Sequence, residues 1–94
     1  MGNGVFGGCT SLINIDLPNV TGIGSGTFTY CTSLTNISLP NVASIANGAF
    51  YNCTNLLDIY LPNAQNSYSG APWGATNATI HYNCEFDENG EPMD

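Results

Sequence analysis

The sequence predicts a repeat solenoid: a coil with a short parallel β-sheet, built from three 22-residue units and closed by a final capping strand. Three observations carry this expectation. The frame Phe-x-x-Cys-Thr-x-Leu-x-x-Ile-x-Leu-Pro-Asn starts at Phe6, again at Phe28 and again at Phe50. Nine of the 22 columns are identical in all three copies, and no insertion separates them. Inside each copy, Leu-x-x-Ile-x-Leu-Pro carries the alternation of a strand with one apolar face. A fixed period of this length marks stacked units that bury their apolar faces against one another.

Met1 to Val5 is short and glycine-rich, too little to cap a coil. An open apolar edge of Phe6, Leu12, Ile15, Leu17 and Val20 is therefore expected. Unpaired strand edges template association, so self-association through the N-terminal coil is expected as well. With the first repeat starting this early, the chain is expected to lack its natural N-terminus. Within each unit, Ile15 and Leu17 (with their copies) face inward, while Asn14 and Asp16 face outward. Pro18 and its copies end the strand's hydrogen bonding and turn the chain. Val20 and Ile23 add apolar contacts on the return side. The glycine column at Gly26, Gly48 and Gly70 calls for a backbone conformation or a close approach that a side chain would obstruct.

The pattern then changes. Ala64 to Gly70 loses the apolar column, with Ser67 where Ile23 and Ile45 stood. Trp73 is expected in the aromatic slot. Ala78 to Tyr82 reads as a last strand with Ile80 and Tyr82 inward and His81 outward, making 71–83 a C-terminal cap on a solenoid of residues 1–83. Residues 84–94 read as an acidic tail or the start of a following module. The Asn89-Gly90 turn signal there fits a hairpin whose second strand is cut off, or a linker.

The 94 residues contain no Lys or Arg and seven carboxylates, a net charge of −7. Nucleic-acid binding needs cations against phosphate, so no nucleic-acid partner is expected. Attraction to an anionic membrane surface fails for the same reason. No apolar run approaches the ~20 residues of a membrane span, and no secretory signal precedes Phe6. Five of the carboxylates fall in the last ten residues, leaving Asp16 and Asp58 for the repeats. The remaining surface is rich in Asn, Ser, Thr and Gly, which suits an exported protein.

The repeated Phe-x-x-Cys-x-x-Leu-x-x-Ile-x-Leu-Pro, with Ile-Gly or Ile-Ala between copies, resembles the BspA-like (Treponema pallidum-type) leucine-rich repeats. The resemblance runs from Phe6 to about Tyr82. The ending Ala71-Pro72-Trp73-Gly74 with Thr79-Ile80-His81-Tyr82 is also similar to endings of such arrays. What the resemblance implies is a right-handed leucine-rich-repeat coil in a fragment of a bacterial surface protein, acting in adhesion to host proteins or other cells. Related arrays occur in phage-associated proteins. The implied scaffold does not name a ligand.

Several side-chain groupings invite chemistry and carry little of it. Cys9, Cys31 and Cys53 fall in one column, a full coil apart, without the close pairs of a zinc site; a ladder of buried reduced thiols is expected. Cys84 lies outside that column, where a free or intermolecular thiol fits. His81 with Ser33 or Ser38 and Asp16 or Asp58 could be drawn as a hydrolase triad, but no nucleophile elbow or oxyanion segment accompanies it. Asp87 to Glu91 does not match the spacing of a calcium loop. Sequons at Asn19, Asn36, Asn52 and Asn77 are weak signals, since about two would arise by chance in a chain this rich in Asn, Ser and Thr. No enzyme, metal or cofactor is therefore expected.

The outward strand positions carry the functional case: Asn14 and Asp16, Asn36 and Ser38, Asp58 and Tyr60, then Thr79 and His81. Repeat arrays bind through such extended faces, and Tyr60 beside His81 is the expected contact centre, because an exposed aromatic gains much area at low entropy cost. The expected function is non-enzymatic recognition or adhesion at the cell surface, with a host or other cell-surface protein as partner. The alternative is a structural spacer or phage-tail-type assembly module.

Overall fold

A computed structural model describes residues 6–93. The short apolar alternations form the strands β1 (Asn14–Asp16), β3 (Asn36–Ser38) and β5 (Asp58–Tyr60), each stopped where the proline column follows. Two-residue strands β2 (Gly22–Ile23) and β4 (Ser44–Ile45) lie on the return side. After a 3-10 turn at Gln65–Ser67 come β6 (Thr79–His81), β7 (Glu85–Phe86) and β8 (Pro92–Met93).

The main sheet has the order β1-β3-β5-β6, all parallel. Its register follows the sequence period, with Ile15 beside Ile37 and Ile37 beside Ile59. β6 arrives one residue early, so Thr79 rather than Ile80 faces Asp58, and Ile80 falls beside Ile59. A mostly parallel sheet with almost no helix, repeating at the period of the sequence, is a repeat fold. The sequence reading had Val20 and Ile23 as packing residues only. In the structure Gly22–Ile23 also pairs in parallel with Ser44–Ile45, as a second, narrow sheet.

Between aromatic and strand the chain turns by successive bonds to the third residue back. The Cys31 amide donates to the Phe28 carbonyl (3.2 Å) and the Leu34 amide to the Cys31 carbonyl (3.1 Å), with the same pair of bonds around Cys9 and Cys53. A helix does not propagate there, because one residue per turn is left-handed. Gly8, Tyr30, Asn52 and Gly74 all have positive φ, between 54° and 91° including the adjoining Trp73. The glycine column named from the sequence is left-handed too, at Gly26, Gly48 and Gly70.

The core is a column. Phe6, Phe28 and Phe50 stack with near-parallel rings, 5.2 and 5.4 Å between centroids. Trp73 ends the stack: it meets Phe50 edge-on at 6.5 Å and is 1% exposed. Leu34, Ile37, Leu39 and Val42 are fully buried, as are Leu56, Ile59 and Leu61. Their counterparts in the first unit, Leu12, Ile15, Leu17 and Val20, pack on this core and are only half-buried. Where Ser67 replaces the apolar column, Tyr68 compensates by resting on Trp73 at 6.1 Å and donating its hydroxyl to the Val42 carbonyl at 3.0 Å.

The thiol column follows the same logic. Cys31 Sγ donates to the Phe6 carbonyl at 3.1 Å and Cys53 Sγ to the Phe28 carbonyl at 2.8 Å, so each thiol ties its unit to the one before. No disulfide joins Cys9, Cys31 or Cys53, and Cys84 Sγ donates to the His81 carbonyl at 3.2 Å. Cys31 and Cys53 are buried, but Cys9 is half-buried because it belongs to the first unit. A uniformly buried ladder is therefore corrected at its N-terminal rung.

The C-terminal segment closes into a complete antiparallel hairpin, β7 with β8, so its second strand is present in the chain. Its tip turns back toward the first units, and Gly90 is buried there.

Candidate functional site

The period that builds the core also aligns the outward side chains. Asn14, Asn36, Asp58 and Thr79 occupy one row of the sheet, and Asp16, Ser38, Tyr60 and His81 the other. Strand spacing of ~4.8 Å makes each row roughly 14 Å long. The inward Ile15, Ile37, Ile59 and Ile80 hold both rows from beneath, since alternate residues of a strand point to opposite faces.

The eight residues are not equally accessible. Asn14 and Thr79 are exposed; Asp16, Asn36, Asp58, Tyr60 and His81 are half-buried. Ser38 is 2% exposed and offers no surface for a partner, a correction to its place among the contact residues. It sits mid-row between the larger Asp16 and Tyr60, with Pro40 following, and a small side chain there is easily overtopped.

The C-terminal end of the rows is where side chains meet most closely. The Tyr60 and His81 rings stack at 4.6 Å with 12° between their planes. His81 Nε2 lies 2.9 Å from Asp58 Oδ1, which fixes the imidazole from the side while Tyr60 fixes its plane. Three residues from two adjacent strands thus form one ordered patch. Asp58 is the acidic partner that a triad would use, but Ser38 is two strands from His81 with Tyr60 between them. At ~4.8 Å per strand that separation is about 10 Å, far beyond proton-transfer reach.

Burial shifts the thiols upward. Desolvation raises Cys31 above the ordinary cysteine range and pushes Cys53 up to about 11, which disfavours the reactive thiolate at both. Among the described residues, no group of three or more His, Cys, Asp or Glu side chains could hold a metal ion, and no cavity opens. No helix of the described residues is long and apolar enough to cross a membrane.

Sequence reasoning missed the neighbour of the first strand. Gly90, at the hairpin tip, lies against Pro18 and Pro40, and Asp16 holds the carboxyl of the next residue, Glu91, above the usual range. Nothing in the 22-residue period relates residue 91 to residue 16, so no sequence signal marks the contact.

Comparison with curated proteins finds no match, and comparison with solved structures finds none either. The model of the BspA type leucine-rich repeat region (6 copies) matches residues 1–85. Families of such repeats are protein-interaction or surface modules and generally non-enzymatic. The matched span takes in every strand of the main sheet, and the chain belongs to the BspA-type leucine-rich repeat family.

Proposed function

We propose that this chain is a recognition module of the cell surface, a right-handed solenoid that binds a protein partner through the outward strand rows. One observation carries it: Tyr60 stacked on His81, with His81 held by Asp58, on the outward sheet face. A patch already ordered in the free protein loses little side-chain entropy on binding, so more of its contact energy appears as affinity. Aromatic side chains dominate such contacts, and a central one is worth about 2 kcal/mol or more when truncated. Asn14, Asn36 and Thr79 supply neutral hydrogen-bonding groups beside it, and Asp16 a carboxylate at the far end. Host or other cell-surface proteins are the partners we assign to this polar, mildly acidic surface with an aromatic centre.

The test is a binding panel of extracellular-matrix and cell-surface proteins against the wild-type chain, Tyr60→Ala, His81→Ala and Tyr30→Ala. Tyr30 is an exposed aromatic off the strand rows and serves as the control. At least one panel member should bind, and Tyr60→Ala should weaken it by on the order of thirtyfold while Tyr30→Ala leaves it unchanged. A binder indifferent to both Tyr60→Ala and His81→Ala would take the strand face out of consideration. Failure of every panel member would favour the spacer or assembly role over recognition.

A further inference from the structure

At β1 the bonding between units stops, but the apolar surface of the core does not. Units are tied at fixed offsets: the Thr35 amide donates to the Ile13 carbonyl (2.7 Å) and the Leu17 amide to the Ser38 carbonyl (3.1 Å). The backbone groups of the odd residues of β1 therefore turn toward β3. Alternate residues of a strand turn theirs to opposite edges, so the amides and carbonyls of Asn14 and Asp16 point away from the sheet. Among the described residues no backbone bond reaches them from that side. Beneath this edge Leu12, Ile15, Leu17 and Val20 are only half-buried, whereas Leu34, Ile37, Leu39 and Val42, with a unit on either side, are fully buried. An edge strand of this kind templates pairing with another strand.

The opposite end of the sheet is a poor match for it. Trp73 and Ala75 are already buried there. The Phe50 amide takes the Trp73 carbonyl, off the offset that the Phe6 and Phe28 amides share, and β6 pairs one residue early. Head-to-tail stacking would also align the hairpins side by side. Gly90 lies against Pro18 and Pro40, past the C-terminal ends of β1 and β3, and five carboxylates fall in the last ten residues of a chain without Lys or Arg. An antiparallel pairing instead places the two hairpins at opposite ends of the joined strands. Like charges are then kept apart.

We propose that the partner of this edge is the same edge of a second copy. β1 pairs antiparallel with β1 about a two-fold axis at Ile15, and two four-stranded sheets become one. The register follows from the edge itself. Asn14 and Asp16 carry the outward backbone groups, so they must be the hydrogen-bonded positions. A slip of one residue would turn the apolar face of one copy to the solvent side of the other. A slip that sets Asp16 beside Asp16 opposes like charges, and the reverse slip, Asn14 beside Asn14, leaves Asp16 unpaired. The remaining register sets Asn14 beside Asp16 of the second copy, twice over, side-chain amide toward carboxylate. Ile15 then meets Ile15 of the second copy in a joined core. The contact is isologous, so the assembly closes at two copies. Both outward faces become one surface, with the two Tyr60 side chains five strand steps apart, roughly 24 Å at ~4.8 Å per strand. The pairing does not depend on whether that surface binds a protein.

Sedimentation of the full chain gives the mass, and isotope-filtered nuclear Overhauser spectra of mixed labelled and unlabelled chain give contacts between copies. At high micromolar concentration the wild type should form a dimer and nothing larger. It should show a cross-peak between the α-protons of Ile15 in the two copies, which face each other closely in a non-hydrogen-bonded antiparallel pair. Asn14→Lys sets a cation beside each Asp16 and should tighten the dimer by on the order of fivefold, because two cross-strand pairs change at once. Asn14→Asp should loosen it by a similar factor. Asn14 is exposed, so both variants should keep the circular dichroism of the wild type. A monomeric wild type, a dimer without the Ile15 cross-peak, or a dissociation constant that Asn14→Lys fails to lower would each overturn the pairing. So would species growing past two copies, the mark of head-to-tail stacking.

Discussion

Replacing Phe28 by alanine tests the core where it is most concentrated. The ring is fully buried, with Phe6 at 5.2 Å on one face and Phe50 at 5.4 Å on the other. Truncating a buried phenylalanine costs about 3–5 kcal/mol, because transfer energy is lost and a cavity remains. A domain of this size has only ~5–14 kcal/mol in total, so the substitution removes a large share of it. At 4–8 °C per kcal/mol for a domain near this length, the midpoint of thermal unfolding should fall by roughly 12–40 °C. Phe6→Ala is the internal control: the same chemical change at a half-buried position with one ring neighbour, for which roughly half the loss is expected. Melting followed by far-ultraviolet circular dichroism measures both. A Phe28→Ala chain that melts within a few degrees of wild type, or a Phe6→Ala chain that loses more than Phe28→Ala, would refute the column as the source of stability.

Two further outcomes follow from the ends of the stack. Under native conditions at neutral pH, a thiol reagent should label Cys9 and Cys84, both half-buried, well before Cys31 and Cys53, whose burial disfavours the reactive thiolate; mass spectrometry of timed samples gives the order, and early labelling of Cys53 would contradict it. Among the described residues β1 is an edge of the main sheet, and beside it Leu12, Ile15 and Leu17 are incompletely covered. The chain should therefore self-associate at high micromolar concentration in sedimentation experiments, and Leu17→Lys should restore the monomer while leaving the circular dichroism of the repeats in place. A wild type that stays monomeric would show that this edge is already satisfied.

What repeats with identical residues was legible in the sequence; what repeats with varied residues, and most of what occurs once, was not. Ile15, Ile37 and Ile59 could be placed inward side by side because identical residues recur at a constant spacing, and the outward rows follow from the same spacing. The Tyr60–His81 neighbourhood was likewise readable, since only a one-residue shortening separates His81 from the period. The second left-handed column was hidden, because Tyr30 and Asn52 stand where Gly8 and Gly74 would have betrayed it. Two-residue strands such as Gly22–Ile23 are too short for alternation to register. Ser38 looked outward, as it is, but burial depends on how tall its neighbours are, which periodicity does not measure. The hairpin's return to Pro18 and Pro40 is a single long-range contact made by a glycine, without side-chain pattern on either partner.

The constant offset of the bonds between units has a consequence for how such a chain can change length. The Phe6 amide meets the Thr27 carbonyl as the Phe28 amide meets the Ala49 carbonyl, and the Thr35 amide meets the Ile13 carbonyl as the Leu57 amide meets the Thr35 carbonyl. Every interior unit thus offers the same sockets on one side and the same plugs on the other. One whole unit gained or lost in register leaves the rest of these connections intact, whereas a change of a single residue misaligns everything that follows it. Beyond Gly70 that freedom ends. There the Thr79 amide still meets the Leu57 carbonyl at the same offset, but the Phe50 amide meets Trp73, two residues further on than the period would place its partner, and the hairpin root adds bonds from Asn83 and Cys84 that no earlier unit has. Upstream of Gly70 the protein is written in interchangeable words; after it the wording is particular to one place.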